Sequence, residues 1–178
     1  MRVFAGLPLP GAAAGKVERW LESWKGTCSG LKMVKGELLH ITLFFFGDMR
    51  DSEAADLSKV LDDIRSERIS ATLGALSAFP PRGNPRVIYL ELEQGGDAVR
   101  GLYGLFLSLV SSLGYREERR LFVPHITMAR NKGGSLVTLP EENPLKGVGF
   151  EIDRLILYES KLGQTGPAYY PLKTVYLR

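Results

Sequence analysis

Hydrophobic residues recur along the chain with two different periods. Stripes at i, i+3, i+4 and i+7 predict three amphipathic helices, at residues 17–24, 57–64 and 99–113. We expect these stripes, which include both tryptophans, to pack into a core. Apolar runs between clusters of Gly and Pro predict strands, at residues 3–7, 38–46, 69–79, 87–92, 121–130, 150–159 and 170–177.

The order of these elements repeats. A strand beginning Arg2-Val3-Phe4 is followed by a helix and a strand bearing His40-Ile41-Thr42-Leu43. A strand beginning Arg86-Val87-Ile88 is followed by a helix and a strand bearing His125-Ile126-Thr127-Met128. The offset is 84 residues between the two arginines and 85 between the two histidines. A nearly constant offset predicts an internal duplication, in which two similar lobes bring equivalent strands together.

The composition is that of an ordinary folded protein. The chain has 178 residues, of which 44% are hydrophobic and 24% charged, so we expect a single domain over residues 1–178. The net charge of +3 permits a polyanionic partner without requiring one. The single cysteine, Cys28, excludes an intrachain disulfide, and no apolar run reaches the roughly 18–20 residues of a membrane span. These features favour a cytoplasmic enzyme or binding protein.

The chain contains only two histidines, and both occur as His-Ile-Thr followed by an apolar residue. Side chains alternate along a strand, so His40 and Thr42 share one face while Ile41 enters the core. His125 and Thr127 share a face in the same way. If the two lobes are related by pseudo-symmetry, two imidazoles and two hydroxyls converge on one groove.

Two imidazoles and two hydroxyls suit the opening of a phosphodiester. Histidine titrates near neutrality, so a neutral ring takes a proton from water while a protonated ring gives one to the leaving oxygen. Hydroxyls donate hydrogen bonds to the non-bridging phosphate oxygens, where charge develops. A cyclic phosphate is the natural target, because its hydrolysis needs no covalent intermediate with the protein.

Other interpretations of the histidines are weaker. A metal site with two histidines would need carboxylate or thiolate ligands beside them, and neither motif contains such a residue. The Gly-x-Ser-x-Gly elbow of serine hydrolases does not occur, and neither does a phosphate-binding loop or a dinucleotide fingerprint. The remaining alternative is that both histidines are hydrogen-bonded strand residues without a catalytic role.

The motifs His40-Ile-Thr-Leu and His125-Ile-Thr-Met resemble the paired His-x-Thr/Ser-x motifs of the two-histidine (2H) phosphoesterase superfamily. The similarity is closer to its bacterial and archaeal branch of RNA 2′,3′-cyclic phosphodiesterases, which includes LigT and ThpR and was formerly called 2′-5′ RNA ligase. Further motifs of that branch are matched in order along nearly the whole chain, at residues 2–8, 45–48, 79–87, 122–130, 157–162 and 166–169.

The resemblance implies an α+β, bilobal fold in which two antiparallel β-sheets line a central groove with helices outside. It implies an enzyme, a hydrolase that opens the 2′,3′-cyclic phosphate at an RNA end to a 2′-phosphomonoester without a metal or other cofactor. By analogy His40 is the proton donor to the departing 3′ oxygen, and His125 is the proton acceptor that activates water. Thr42 and Thr127 would hold the phosphate oxygens. The two motifs are nearly identical, so they do not by themselves order the acid and base roles.

Three further residues are candidates for substrate binding. By strand alternation Phe44 and Phe46 continue the face of the first histidine motif, where they can stack on a terminal base. A strand end or a bulge would instead turn one of them into the core. Arg130 follows His125 by five residues, so regular alternation turns it to the opposite face. A strand end there would bring it to the phosphate or the RNA backbone.

The expected partners are RNA 3′ ends that carry a cyclic phosphate, tRNA-derived among them, or small nucleotide phosphodiesters. No membrane partner is implied, and nothing in the sequence argues for an obligate dimer, so we expect a monomer. Two alternative functions remain open, namely 2′-5′ RNA ligation at the same groove and a non-catalytic module that binds RNA ends. Tyr169 and Tyr170 either border the groove or pack elsewhere.

Overall fold

We describe a computed structural model of the chain, which covers residues 1–24, 30–81, 84–116, 121–134, 137–164 and 166–178. Cys28 lies outside these residues. The helices are α1 (Gly11–Ser23), α2 (Asp51–Val60) and α3 (Gly96–Val110). The strands are β1 (Arg2–Pro8), β2 (Leu31–Met33), β3 (His40–Asp48), β4 (Ile69–Phe79), β5 (Val87–Gln94), β6 (His125–Asn131), β7 (Gly149–Ile152), β8 (Arg154–Gly163) and β9 (Gly166–Tyr176). The short strand β2 has no counterpart among the predicted strands.

The strands form one antiparallel sheet with the order β7-β4-β5-β6-β3-β1-β8-β9, and β2 pairs with β6 beside this path. This sheet and its helices confirm the predicted α+β class. The half β7-β4-β5-β6 meets the half β3-β1-β8-β9 between β6 and β3. Within the described residues, the only pair across that junction is Ile41 with Ile126. The two predicted sheets are therefore joined at the centre by a single residue pair.

Equivalent elements of the two halves begin 85 residues apart. Strand β1 begins at Arg2 and β5 at Val87, while α1 begins at Gly11 and α3 at Gly96. The same separation holds for β3 with β6 and for β4 with β8. The order of equivalent strands is also symmetrical about the centre of the sheet. These regularities support two pseudo-symmetric lobes within one domain, which stays a prediction.

The predicted helical stripes supply the core. Val17 and Leu21 of α1, Leu57 of α2, and Phe106 and Val110 of α3 are all buried. They pack in one cluster with the inward side chains of the strands, so the burial of apolar surface holds the helices against the sheet. None of the described helices is both long enough and apolar enough to cross a membrane.

Two predicted strands differ from the structure. The strand expected at residues 121–130 begins only at His125, and Leu121 is 85% exposed. The strand expected at residues 150–159 is divided at Asp153 into β7 and β8, which pair with β4 and β1 in opposite halves of the sheet. An apolar run does not indicate that its two parts pair with different strands, because both parts have the same local pattern.

Candidate active site

The single residue pair between β3 and β6 sets the two histidine motifs against each other. Ile41 lies opposite Ile126. In antiparallel register His40 therefore comes next to Thr127, and Thr42 comes next to His125. Alternation turns these polar side chains to the face opposite the two buried isoleucines. Since the described parts of β3 and β6 pair at this one point, the strands diverge from it and leave a groove between the two halves.

Backbone carbonyls fix both imidazole rings in the same way. His40 Nδ1 lies 2.7 Å from the carbonyl oxygen of Leu38, and His125 Nδ1 lies 2.7 Å from that of Val123. A carbonyl oxygen only accepts hydrogen bonds, so Nδ1 carries the proton and Nε2 is the basic nitrogen of each neutral ring. The Thr42 hydroxyl donates to His40 Nε2 across 3.0 Å. Each ring therefore keeps Nε2 for proton transfer.

Aromatic side chains surround His40. Its ring centroid lies 5.0 Å from that of Phe4 and 5.5 Å from that of Tyr169. A Cβ atom added at Gly6 would lie 3.1 Å from His40 Cδ2, so the ring occupies space that a glycine leaves open. Burial lowers the pKa of His40, and the charges of Arg130 and the second histidine lower it further. The hydrogen bond to the backbone carbonyl opposes this shift without reversing it.

His125 has different surroundings. Its ring centroid lies 5.0 Å from that of Tyr89 and 5.8 Å from that of Phe79. Glu91 lies opposite His125 on the neighbouring strand β5, and its carboxylate accepts a hydrogen bond from Ser77 Oγ across 2.5 Å. Opposite side chains in antiparallel strands have Cβ atoms roughly 4.5–5.5 Å apart, so Glu91 and His125 share a face of the sheet, while the Glu91 carboxylate bonds to Ser77 of β4 on its other side.

A β-bulge in β3 changes which phenylalanines face the groove. The register with β1 skips Leu43, so Leu43 and Phe44 are both buried and the alternation changes phase. Phe44 packs in the core, and Phe46 packs against it with the ring centroids 4.8 Å apart. The prediction that Phe44 and Phe46 face the groove is therefore wrong. Phe45, which is 57% exposed, takes that place and lines the cavity beside His40.

An equivalent bulge in β6 brings Arg130 to the groove. The register with β5 skips Met128, and both Met128 and Ala129 are fully buried. The phase change turns Arg130 back to the face of His125, where regular alternation would not have placed it. Arg130 consequently lines the same cavity as His40. The cause is a bulge inside the strand rather than a strand end.

A cavity of about 260 Å³ lies beside His40 and includes both motif threonines. The described residues that line it include four cations and no carboxylate; the cations are Lys32, Lys35, Arg130 and Lys132. Its larger apolar side chains are Phe45, Leu162 and Tyr169. A larger cavity of about 630 Å³, near Arg65 and Arg178, contains neither histidine motif. The chemistry of the smaller cavity suits an anion that carries a flat apolar group.

The donor set of this cavity also suits phosphate. The described residues contain no group of three or more His, Cys, Asp or Glu side chains that could hold a metal ion. The polar atoms around the cavity are imidazole nitrogens, hydroxyls and cationic side chains. Phosphate oxygens are strong acceptors that bind best to charged donors of this kind.

Sequence reasoning missed Phe45, Lys32 and Lys132 and left Tyr169 undecided. The position of Phe45 depends on a bulge, which has no signature in the hydrophobic pattern. Lys32 reaches the site because β2 pairs with β6, where it lies opposite Arg130. Tyr169 belongs to β9, an edge strand of the sheet, and its ring packs against the ring of His40. The family motif at residues 166–169 was the one signal that could have placed it.

The paired motifs, the groove and the symmetrical sheet are those of a two-histidine phosphoesterase, and comparison with known proteins identifies the family. Residues 7–89 match the family described as LigT-like phosphoesterase. A relative from Aeropyrum pernix is 34% identical over 167 residues, which cover 91% of this chain and 93% of the relative. One from Archaeoglobus fulgidus is 27% identical, with 97% and 98% covered. Both are named RNA 2′,3′-cyclic phosphodiesterase. The chain belongs to the LigT-like phosphoesterase family.

Solved structures have the same fold. The crystal structure of E. coli LigT complexed with 3′-AMP matches with a TM-score of 0.83 and 25% identity, covering 99% of this chain and 97% of that chain. A protein from Thermus thermophilus matches with a TM-score of 0.80 and 26% identity, covering 100% and 98%. The architecture is therefore shared over the full length of the chain.

Proposed function

We propose that this protein is an RNA 2′,3′-cyclic phosphodiesterase, which hydrolyses the cyclic phosphate to a 2′-phosphomonoester through His40 and His125 without a metal ion. The observation that carries the proposal is the arrangement of the two imidazoles. Each Nδ1 is fixed by a backbone carbonyl, so each Nε2 is available for proton transfer. His40 lies on the groove face of β3, and His125 lies on the groove face of β6. The names of the relatives support the same activity.

The reaction needs one base and one acid on opposite sides of the phosphorus. His125 Nε2 takes a proton from water as the water oxygen bonds to phosphorus. The bond between phosphorus and O3′ breaks, and His40 gives its Nε2 proton to O3′. The phosphate stays on O2′ as a monoester. Water then returns His40 to the protonated state and removes the proton from His125.

The surroundings of the two histidines support this order of roles. Burial and the charge of Arg130 lower the pKa of His40, which makes its protonated form a stronger acid. The anionic phosphodiester beside Nε2 opposes the charge of Arg130 and favours protonation of the ring when substrate is bound. Glu91 lies opposite His125 on β5, whereas an uncharged residue, Pro8, lies opposite His40 on β1.

The remaining residues of the cavity bind the substrate. Thr42 and Thr127 donate hydroxyl hydrogen bonds to the non-bridging oxygens, and the guanidinium of Arg130 compensates the charge that develops there. Thr42 gives up its bond to His40 Nε2 for this purpose, because its hydroxyl rotates freely. Phe45, in place of the predicted Phe44 and Phe46, offers a face for the terminal base.

The substrates are RNA 3′ ends, tRNA-derived ends among them, and the enzyme acts as a monomer in the cytoplasm. The monomer is sufficient because both histidines and the lining of the cavity come from one chain.

The test is the fate of a short RNA ending in a 2′,3′-cyclic phosphate, incubated in EDTA with the wild type, His40→Ala and His125→Ala. We expect a 2′-phosphate from the wild type alone, with circular dichroism melts of both variants close to that of the wild type. A 3′-phosphate product would contradict the assignment of the broken bond. Retained RNA binding without turnover would favour a binding module, and joined RNA products would favour ligation.

A further inference from the structure

We propose that RNA leaves the catalytic cavity past Lys132 and continues in a neighbouring cleft lined by Arg86, so that the preferred substrate is a polynucleotide end rather than a mononucleotide. This inference rests on the proposed function. It concerns two adjoining cavities that share one cation, Lys132, since that side chain lines both of them.

The size of the catalytic cavity is the first argument. Its volume of about 260 Å³ lies just below the range of small-molecule sites, which is roughly 300–1,000 Å³. A terminal ribose, its cyclic phosphate and one base fill such a space. The neighbouring cleft has a volume of about 790 Å³, which leaves room for further nucleotides.

The walls of this cleft are polar, and hydrogen bonds connect them. Asn84 precedes β5 and donates a hydrogen bond to the carbonyl of Gly134, beyond β6. Asn131, at the end of β6, donates to Asn84 Oδ1 across 3.3 Å. Two loops are thereby held against each other beside Arg86. The cleft is a built feature of the fold and not a gap between independent loops.

The charges of the two cavities are the second argument. The described residues that line them carry no carboxylate. Among the described residues, none of their cations makes a salt bridge; these cations are Lys32, Lys35, Arg86, Arg130 and Lys132. Some cations on other faces, Arg68 and Arg100 among them, are paired with carboxylates. Hydrolysis of one terminal phosphate does not require five cations, whereas binding of a phosphate backbone does use them.

The spacing of the cations is the third argument. Arg130 lies in β6 and Lys132 directly follows the last residue of that strand; two residues of extended chain span about 6.6 Å. One nucleotide of an extended chain spans a similar length, so neighbouring phosphates can reach the two cations in turn. Phe79 is 41% exposed, immediately precedes Pro80 of the cleft and contacts the His125 ring. It offers a face for base stacking beside His125.

The experiment compares adenosine 2′,3′-cyclic monophosphate with RNA of two, four and eight nucleotides that ends in a cyclic phosphate. We expect kcat/KM of the wild type to rise by about tenfold or more between the mononucleotide and the octanucleotide at low salt. Arg86→Gln is expected to lower the ratio of kcat/KM for the octanucleotide to kcat/KM for the mononucleotide by roughly fivefold. The matched control is Arg100→Gln on α3, which lines neither cavity and should leave the ratio unchanged.

Binding gives a second measurement that does not need turnover. The affinity of the octanucleotide with a 2′-phosphate end is measured by fluorescence anisotropy at several salt concentrations. Arg86→Gln should reduce the slope of log Kd against log salt by about 0.7, the value for one phosphate contact in a single strand. Arg100→Gln should not change that slope.

Each outcome decides one question. Equal kcat/KM for the mononucleotide and the octanucleotide would overturn the cleft proposal and leave the phosphodiesterase intact. A length dependence that Arg86→Gln does not reduce would also overturn it, because the RNA would then leave past Lys32 and Lys35 instead. If the wild type hydrolyses none of the substrates, the proposed function fails, and the salt slopes still decide whether Arg86 binds RNA.

Discussion

Glu91 lies directly opposite His125 across β5 and β6, whereas Pro8 holds the corresponding position opposite His40 across β1 and β3. The two halves of the sheet therefore place different residues opposite their histidines. Ser77 Oγ holds the carboxylate of Glu91 by a hydrogen bond of 2.5 Å. One histidine motif therefore has an acidic residue across the strand, and the other has a proline.

Glu91→Gln tests this difference, since it keeps the shape of the side chain and removes its charge. We expect kcat to fall by roughly tenfold with little change in KM, because Glu91 shares a face with His125 and does not line the substrate cavity. Steady-state kinetics with a cyclic-phosphate RNA provide the measurement. Glu93→Gln removes the same charge two residues further along β5 and should keep wild-type kinetics. Unchanged kcat in Glu91→Gln would remove Glu91 from the mechanism.

Gly6→Ala should disturb the ring of His40. The added Cβ would lie 3.1 Å from His40 Cδ2, and the ring cannot move freely because the Leu38 carbonyl and Thr42 hold its two nitrogens. A shift of a few tenths of an ångström misaligns Nε2, so we expect kcat to fall by about tenfold. The control is Gly101→Ala in α3, where nothing lies within 4 Å. It should raise helix stability by up to about 1 kcal/mol and leave kcat unchanged.

The stability of the protein should depend on pH through His40. Burial lowers the pKa of His40 below its ordinary value of 6.5, so the unfolded chain binds a proton before the folded chain as the pH falls. The contribution of His40 to stability is therefore complete above pH 6.5 and decreases as the pH falls from 6.5 towards the folded pKa. Urea unfolding at a series of pH values should show that, as the pH falls, the free energy of unfolding decreases less for His40→Gln than for the wild type. Equal losses would contradict the lowered pKa.

The same pKa should respond to charge near the ring. Arg130→Gln removes a positive charge that lowers the pKa of His40, so the pKa should rise in this variant. Adenosine 2′-monophosphate brings a negative charge to the cavity and should also raise it in the wild type. Titration of the ring protons by NMR measures both shifts. A pKa that stays constant with the nucleotide bound would place the phosphate away from His40.

Phe44 and Phe45 form a matched pair that tests the bulge in β3. Phe44 is buried, so Phe44→Ala should lower the free energy of unfolding by about 3–5 kcal/mol. Phe45 is 57% exposed, so Phe45→Ala should change it by less than about 1 kcal/mol while raising KM for cyclic-phosphate RNA. Urea unfolding and steady-state kinetics separate the two effects. The reverse pattern would mean that the strand keeps regular alternation.

Local patterns predicted most of the elements but not their connections. The helical stripes of α1, α2 and α3 and the alternation at His40 and His125 follow from side-chain periodicity, which each segment carries by itself. The pairing of β7 and β8 with different halves of the sheet does not. It depends on partners far away in the chain, and an apolar segment has the same pattern whichever partner it meets.

The sequence by itself identified the groups that we propose for the chemistry. Two histidines in the same short motif, 85 residues apart, already indicated a paired acid–base site in a duplicated fold, and the family resemblance added the α+β class. Only the tertiary structure decided which neighbours those groups have. A bulge in β3 places Phe45 in the groove, a bulge in β6 places Arg130 there, and the register of β5 places Glu91 across from His125. Bulges and register result from hydrogen bonds and packing between strands that are distant in sequence, so no single segment encodes them.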